Sequence, residues 1–434
     1  MSKRRTPNWC STLKGGRMLP KDWKRVPLHT VAEIRTGLAK GKQGLLDPVE
    51  LPYLRVANVQ DGHFDLGEIK TILVERRAIE RYTLRSGDVL MTEGGDFDKL
   101  GRGAVWKAPV TPCLHQNHVF AVRPQRGVLD STFLAALSSS RYGRTYFESC
   151  AKRSTNLASI NSSQLKEFPV ILPPYREQLE IAGVLNTWDA AIKTAEKLLA
   201  NSQRQKQDLM QSLLTGHRSF EQSKTRWSRI EFDQIFGRIT CKNTAGNQNV
   251  LTISGQHGLI GQREFFNKNV ASDNLRGYTL LERGDFAYNK SYSAGYPVGA
   301  IKSLRAYESG VVSSLYICFR IRPDVEAEAD FFRHYFEAGM LNDEITGIAQ
   351  EGARNHGLLN VSVKDFFKLK LRIPPIESQR RIAEVLNAAE SEAHCIERQV
   401  EQLKKEKRAL MSDLLTGNRR VRSPKLTTEA QEAA

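Results

Sequence analysis

Cysteine is scarce. The 434 residues hold six, Cys10, Cys113, Cys150, Cys241, Cys318 and Cys395, and no two of them form a Cys-x-x-Cys pair. That spacing excludes a disulfide framework and a thiolate zinc site and leaves reduced, mostly buried thiols. No uninterrupted apolar run approaches the ~20 residues needed to cross a bilayer. The basic start from Met1 to Arg5 runs into Thr6-Pro7-Asn8 and not into the apolar core of a secretory leader, so a soluble, cytoplasmic chain with no membrane association is expected. Catalytic patterns are missing too. Leu172-Pro173-Pro174-Tyr175 has leucine where an amino-methyltransferase motif needs Asp or Asn to accept from an exocyclic amine. The stretch Gly37 to Gln43 is one residue short of a phosphate-binding loop and lacks its Ser or Thr. His115 and His118 have no companion carboxylate or thiolate, and a spacing of three on a strand sets them on opposite faces. Asp96 and Asp98 lack the Glu-x-Lys partner of two-metal nucleases. No catalytic residue, metal site or bound cofactor is therefore expected on this chain.

What is present in excess is positive charge. The formal net charge is +16, which on a soluble protein points to a polyanionic partner such as nucleic acid. Residues 173–216 and 374–417 net 0 and −1, so the remaining segments carry +17.

Those two near-neutral segments are copies of one another, and an internal repeat organises the whole chain. Pro173-Pro174 followed by Gln178, Ile181-Ala182 and Val184-Leu185-Asn186 returns as Pro374-Pro375 with Gln379, Ile382-Ala383 and Val385-Leu386-Asn387, at a constant shift of 201. The ends repeat at the same shift, Leu209-Met210 to Thr215-Gly216 against Leu410-Met411 to Thr416-Gly417. Between them the seam positions step by four and three: Ile181, Leu185, Trp188, Ile192, Ala195, Leu199, Ser202, Lys206, Leu209 and Leu213, then Ile382, Leu386, Ala389, Ala393, Ile396, Val400, Leu403, Lys407, Leu410 and Leu414. A 3.5-residue spacing is a coiled-coil seam. Pro-Pro starts each helix and Thr-Gly stops it, for about 37 residues or roughly 55 Å at 1.5 Å per residue. Two helices with unburied seams in one chain are expected to pair antiparallel. Lys206 and Lys407 fall at equivalent seam positions, where burial is costly without an acidic partner; a fraying or partner-facing turn is expected there.

Residues 18–172 and 217–373 are weaker copies of each other. Tyr82-Thr83-Leu84 to Gly87-Asp88 parallels Tyr278-Thr279-Leu280 to Gly284-Asp285, and Val119 to Pro124 parallels Ile317 to Pro323. Short strands between Gly-rich turns, followed by a helical stretch, make each an α+β domain. The expected fold is two such recognition domains separated by two long helices (173–216 and 374–417) in an antiparallel coiled coil with pseudo-twofold repeat, with flexible tails at 1–17 and 418–434.

Donor-rich loops follow the Gly-Asp strands. Glycines let backbone approach a ligand, while Lys, Arg, Asn and Ser offer donors to phosphates and base edges. The candidate nucleic-acid contacts are Lys40 and Lys42; Lys99 and Arg102; Lys152, Arg153 and Asn156; Gln256, His257 and Arg263; Asn289, Lys290 and Ser291; Tyr292 and Tyr296, which add ring faces; and Arg354 and Asn355.

Taken together, the duplicated Pro-Pro-x-x-x-Gln and Ile-Ala-x-Val-Leu-Asn, the repeated Leu-Met-x-x-Leu-Leu-Thr-Gly and the tandem layout resemble the specificity (S) subunit of type I restriction-modification systems, from about Trp23 to Gly417. The resemblance implies a non-catalytic subunit. Its two target-recognition domains each read half of a split DNA sequence, and its helices set the gap and dock two methylation subunits. S-adenosylmethionine, ATP and Mg2+ would sit on those partners and on two restriction subunits, not on this chain. The competing expectation is a stand-alone architectural or RNA-binding protein that self-associates through its coiled coils.

Overall fold

Residues Tyr175–Leu214 and Ile376–Thr416 form uninterrupted helices, α2 and α4 below, of 40 and 41 residues, about 60 Å each. Each begins directly after its Pro-Pro pair, where the missing amide of proline costs the helix nothing. Each is closed by a left-handed glycine, Gly216 at φ +77° and Gly417 at φ +76°. Glycine is required there a second way. A β-carbon at 216 would come within 3.1 Å of the Trp227 indole, and one at 417 would meet Pro20 and Trp23.

The structure is a computed structural model and describes residues 19–41, 44–95, 100–153, 158–218, 227–255, 258–266, 274–293, 295–351 and 359–421. The chain divides into two compact units, residues 1–194 with 399–434, and residues 195–398. The division runs through both long helices, so each unit owns half of each.

At the centre of the first unit is a four-stranded antiparallel sheet of β1 (Ala32–Thr36), β2 (Val89–Thr92), β3 (Gly103–Val105) and β4 (Val119–Pro124), in the order β1-β4-β2-β3. The second unit repeats it with β5 (Phe236–Arg238), β6 (Phe286–Asn289), β7 (Ala300–Ser303) and β8 (Ile317–Ile321), in the order β5-β8-β6-β7. Helix α1 (Ser131–Ser139) covers the first sheet and α3 (Ala329–Glu337) the second. The chain enters each unit on a strand paired with the one that leads to the long helix: Lys24–Pro27 with Pro169–Leu172, and Ser228–Glu231 with Lys370–Ile373.

Two polar devices hold the copies in the same shape. Asp88 is buried at the start of β2 and takes a bidentate contact from Arg123, 2.7 and 2.8 Å, plus the Arg85 amide at 2.8 Å. Asp285 takes a single contact from Arg320 at 2.8 Å and the Glu282 amide at 2.7 Å. The register sets Val89 opposite Val122 and Phe286 opposite Phe319, so Arg123 corresponds to Arg320. The register makes exact the approximate parallel between Val119–Pro124 and Ile317–Pro323 seen in the sequence. The second device is the Gln of Pro-Pro-x-x-x-Gln. Gln178 is fully buried; its oxygen accepts the Asp130 amide and its nitrogen donates to the Val128 and Pro173 carbonyls, all at 2.9 Å. Gln379 accepts from Glu328 at 3.1 Å and donates to Pro374 at 3.0 Å. Asp130 and Glu328 are the N-cap residues of α1 and α3, so the glutamine rivets the first turn of a long helix to the recognition-domain helix beside it.

Within each unit the half-helices run in opposite directions. Ile181 and Leu185 share a core with Leu414 and Leu415 in the first unit, and Leu213 with Ile382 and Leu386 in the second. Every large apolar seam position is buried or half-buried: Ile181, Leu185, Ile192, Leu213, Ile382, Leu386, Ile396, Val400 and Leu414 are buried, while Trp188, Leu199, Leu209, Leu403 and Leu410 are half-buried. The seam lysines do not lie on a fraying turn. Lys407 meets Asp189 in the first unit, and Lys206 meets Glu390 at 2.8 Å in the second. These pairs are the same contact twice, since Asp189 and Glu390, like Lys206 and Lys407, are 201 apart.

The ordered chain also runs past the boundary at residue 417 expected for the C-terminal tail. Arg420 binds Asp22 at 2.8 and 2.9 Å and Glu177 at 2.6 and 2.8 Å, and lies over the Trp23 ring.

Candidate nucleic-acid interface

The sheet register decides which loops can act together. In the first unit β1 ends at Thr36, β4 begins at Val119, β2 ends at Thr92 and β3 begins at Gly103, and these residues pair across the same end of the sheet. The chain segments carrying Lys40, Asn117, His118 and Arg102 therefore leave from one end. The latch Asp88 with Arg123, and the Gln178 rivet, lie at the other.

A small three-stranded sheet completes this end. Lys152–Arg153 pairs with Ala158–Ser159, which pairs with Gly94–Gly95, and the Ile160 amide donates to the Glu93 carbonyl at 2.8 Å. Two loops that sequence treated as separate candidates thus form one hydrogen-bonded edge. Lys40 is exposed, with its ammonium 5.8 Å from the Tyr53 ring. Arg102 is half-buried and its carbonyl accepts the Thr92 amide. His115 is buried, its Nδ1 2.6 Å from the Val119 carbonyl, and burial pushes its pKa down, so it is a neutral structural ring. His118 is exposed and faces Glu93 at 2.5 Å.

In the second unit β5 ends at Arg238, β8 begins at Ile317, β6 ends at Asn289 and β7 begins at Ala300, so the segment after Asn289 leaves the equivalent end. A hairpin of Gln350–Glu351 and Leu359–Asn360 is tied to it by the Leu359 amide on the Lys290 carbonyl at 3.1 Å. Asn289 spends its side-chain oxygen on the Ser291 amide at 3.1 Å. Lys290 and Ser291 are half-buried, and Tyr292 is 65% exposed. Arg263 is exposed on the short helix Gln262–Phe266. Tyr296 is not a free ring. Lys302 stands 4.6 Å from its centroid, and its hydroxyl is engaged by Lys302, Glu337 and the Gly255 carbonyl. Beside it is a cavity of about 90 Å³ bordered by Gly299, Glu337, Gly339 and Asn342, well below the ~300 Å³ where small-molecule sites begin.

Lys42, Lys99, Asn156, Gln256, His257, Arg354 and Asn355 lie outside the described residues, as do the side chains of Lys152 and Arg153. Among the described residues no group of three or more His, Cys, Asp or Glu is placed to hold a metal ion, and no helix is long and apolar enough to cross a membrane. Sequence reasoning missed the Asp88 and Asp285 latches, the Gln178 and Gln379 rivets and the Lys302 cluster. The first two had a signal, being polar residues repeated in both halves; Lys302 had none.

Residues 20–201 match the family model described as the type I restriction modification DNA specificity domain. Over 93% of this chain and 95% of its own length, the putative type I restriction enzyme MjaX specificity subunit of Methanocaldococcus jannaschii is 25% identical. Along almost its whole length the sequence is similar to type I restriction enzyme specificity subunits. The EcoKI specificity subunit of Escherichia coli K12 is 27% identical over 45% of this chain and 44% of its own. The fold of the family is found here as well. A chain from a structural study of complex assembly and conformational transition of the type I R-M system superposes with TM-score 0.58 at 16% identity, covering 93% of this chain and all of its own. The type I S subunit from M. genitalium gives 0.52 at 14%, covering 93% and 98%.

Proposed function

We propose that this chain is the DNA-reading subunit of a type I restriction-modification complex, each unit contacting one half of a bipartite, asymmetric target. One observation carries the reading: two units with the same sheet order present donor-rich loops at the same sheet end, while the residues around those ends differ. A shared scaffold with unlike edges suits a split target with unlike halves.

In this scheme Lys40, Lys42, Arg102, Arg153, Lys290 and Arg354 contact phosphates and set the register, and Asn289, Tyr292 and Gln256 meet base edges. The long helices pair as an antiparallel coiled coil along their length, set the gap between half-sites and dock two methylation subunits. Their length of about 60 Å compares with about 18 base pairs at 3.4 Å each. Catalysis, with S-adenosylmethionine on the methylation subunits and ATP and Mg2+ on restriction subunits, belongs to those partners.

The test is binding of the full chain, with its methylation subunits, to duplex DNA across a salt series. About six phosphate contacts give a log–log slope near −5. A slope near zero, or equal preference for RNA, refutes the reading. Exchanging residues 217–373 for the second domain of another family member should change one half-site and leave the other.

A further inference from the structure

Lys302 is 9% exposed, on β7, in a unit whose other cations mostly reach solvent. Its ammonium has three donors, and all three are used: on the Gly255 carbonyl at 2.9 Å, the Tyr296 hydroxyl at 2.7 Å and the Glu337 carboxylate. Tyr296 in turn donates to Glu337 at 2.8 Å or to Gly255 at 3.0 Å. Burial pushes the Tyr296 phenol up, so it remains a donor at neutral pH.

Three elements meet at this ammonium. Gly255 directly follows the strand Leu251–Ser254, which pairs with Gly258–Gly261, Tyr296 belongs to the segment that carries Tyr292, and Glu337 ends α3. Among the described residues the first unit has no such cluster at the equivalent positions. The strand register sets Lys302 opposite Ala287, where the first unit has Ala104 opposite Leu90, and the helix caps align Glu337 with Ser139.

We propose that Lys302, Glu337 and Tyr296 form a positioning hub that locks Gly255 to the segment bearing Tyr292 and so sets the base selectivity of the second unit. The hub touches no base itself; it fixes the angle at which two loops meet the duplex. The proposal rests on the DNA-reading function given above.

The experiment selects bound sequences from a pool of random-sequence DNA duplexes with the full chain and its methylation subunits, for the unaltered protein, Tyr296→Phe, and the double variant Lys302→Met with Glu337→Leu. The double variant replaces a half-buried ion pair by apolar side chains, an exchange that folds tolerate. The expected result is a bipartite sequence for the unaltered chain, and for both variants a roughly tenfold loss of discrimination in one half only, with Tm within a few degrees. Unchanged selectivity, or relaxation of both halves together, overturns the hub. So does a double variant whose selectivity follows its Tm, the mark of a merely structural pair. Failure of the unaltered chain to enrich any sequence overturns the DNA-reading function itself, and is distinct from an effect confined to the variants.

Discussion

The two units carry unlike side chains on corresponding helices. Helices α1 and α3 are each capped by an acidic residue, tied to a corresponding glutamine and laid on a corresponding sheet, yet the faces they turn inward are unlike. Where α1 has Ala135 and Ala136, half-buried, α3 has Arg333 and His334. Arg333 binds Asp330 at 3.0 Å and Glu390 at 2.8 Å, and shares the Asn387 amide oxygen with His334. In the first unit the counterpart of Asn387, Asn186, is exposed. The lesson is that the contacts kept in both copies reach backbone groups or a single paired charge, and leave the surrounding side chains free to change. A scaffold anchored that way can diverge at its edges without losing its shape.

Removing the latch should break the comparison most severely. Asp88→Ala strands Arg123, whose side chain is 20% exposed, whereas Asp285→Ala strands Arg320, which is 43% exposed and still has Glu282. Breaking a buried pair by deleting one partner costs about 3–5 kcal/mol. The Asp88 variant should approach that range in urea unfolding and the Asp285 variant fall clearly below it. Equal losses would mean that burial does not separate the two latches.

Acid should separate the units next. Burial, with Arg333 beside it, lowers the pKa of His334 to about 4. Its folded form is neutral while the unfolded chain takes up a proton below about 6.5, so this stabilisation is complete above that pH and is lost as pH falls towards 4, by roughly 3 kcal/mol. Burial works against ionisation of Glu390, yet the hydrogen bond from Lys206 and the charge of Arg333 hold its pKa at about 2, so its contribution disappears only below about 4.5. Between pH 7 and 4.5 amide protection factors, corrected for the intrinsic slowing of exchange in acid, should fall in Ala329–Glu337 and not in Ser131–Ser139. A parallel fall in both helices would assign the acid response elsewhere.

The smallest difference is expected at the seam. Asp189 is 58% exposed, while Glu390 is 21% exposed and contacts three cations. Lys407→Met should change stability by less than about 1 kcal/mol, and Lys206→Met by more, in thermal or urea melts. The reverse order would show that the Glu390 cluster does not depend on Lys206.

The long helices and their seam were legible because period, start and stop signals recur at one shift and because helices are local structures. The recognition domains were legible only in outline. Their strands are short, and the same residues take different forms: Thr279–Glu282 is a strand paired with Ser309–Val312, while the related segment after Tyr82 is a loop. The candidate edges were found as loops, but that Gly94–Gly95 and Lys152–Arg153 share a sheet depends on pairing across more than fifty residues, which no local pattern encodes. Lys302 is the extreme case. Its partners Gly255 and Glu337 are 47 and 35 positions away, and an isolated lysine in a basic chain carries no mark of burial.

The division of the long helices has a consequence for synthesis. Residues 195–398 form one continuous stretch, so everything the second unit packs together has been made before residue 399 emerges. The first unit waits: its core includes Leu414 and Leu415, and Trp23 and Glu177 are capped by Arg420. On a ribosome, where domains fold in the order their residues appear, the unit that starts first is the one that finishes last.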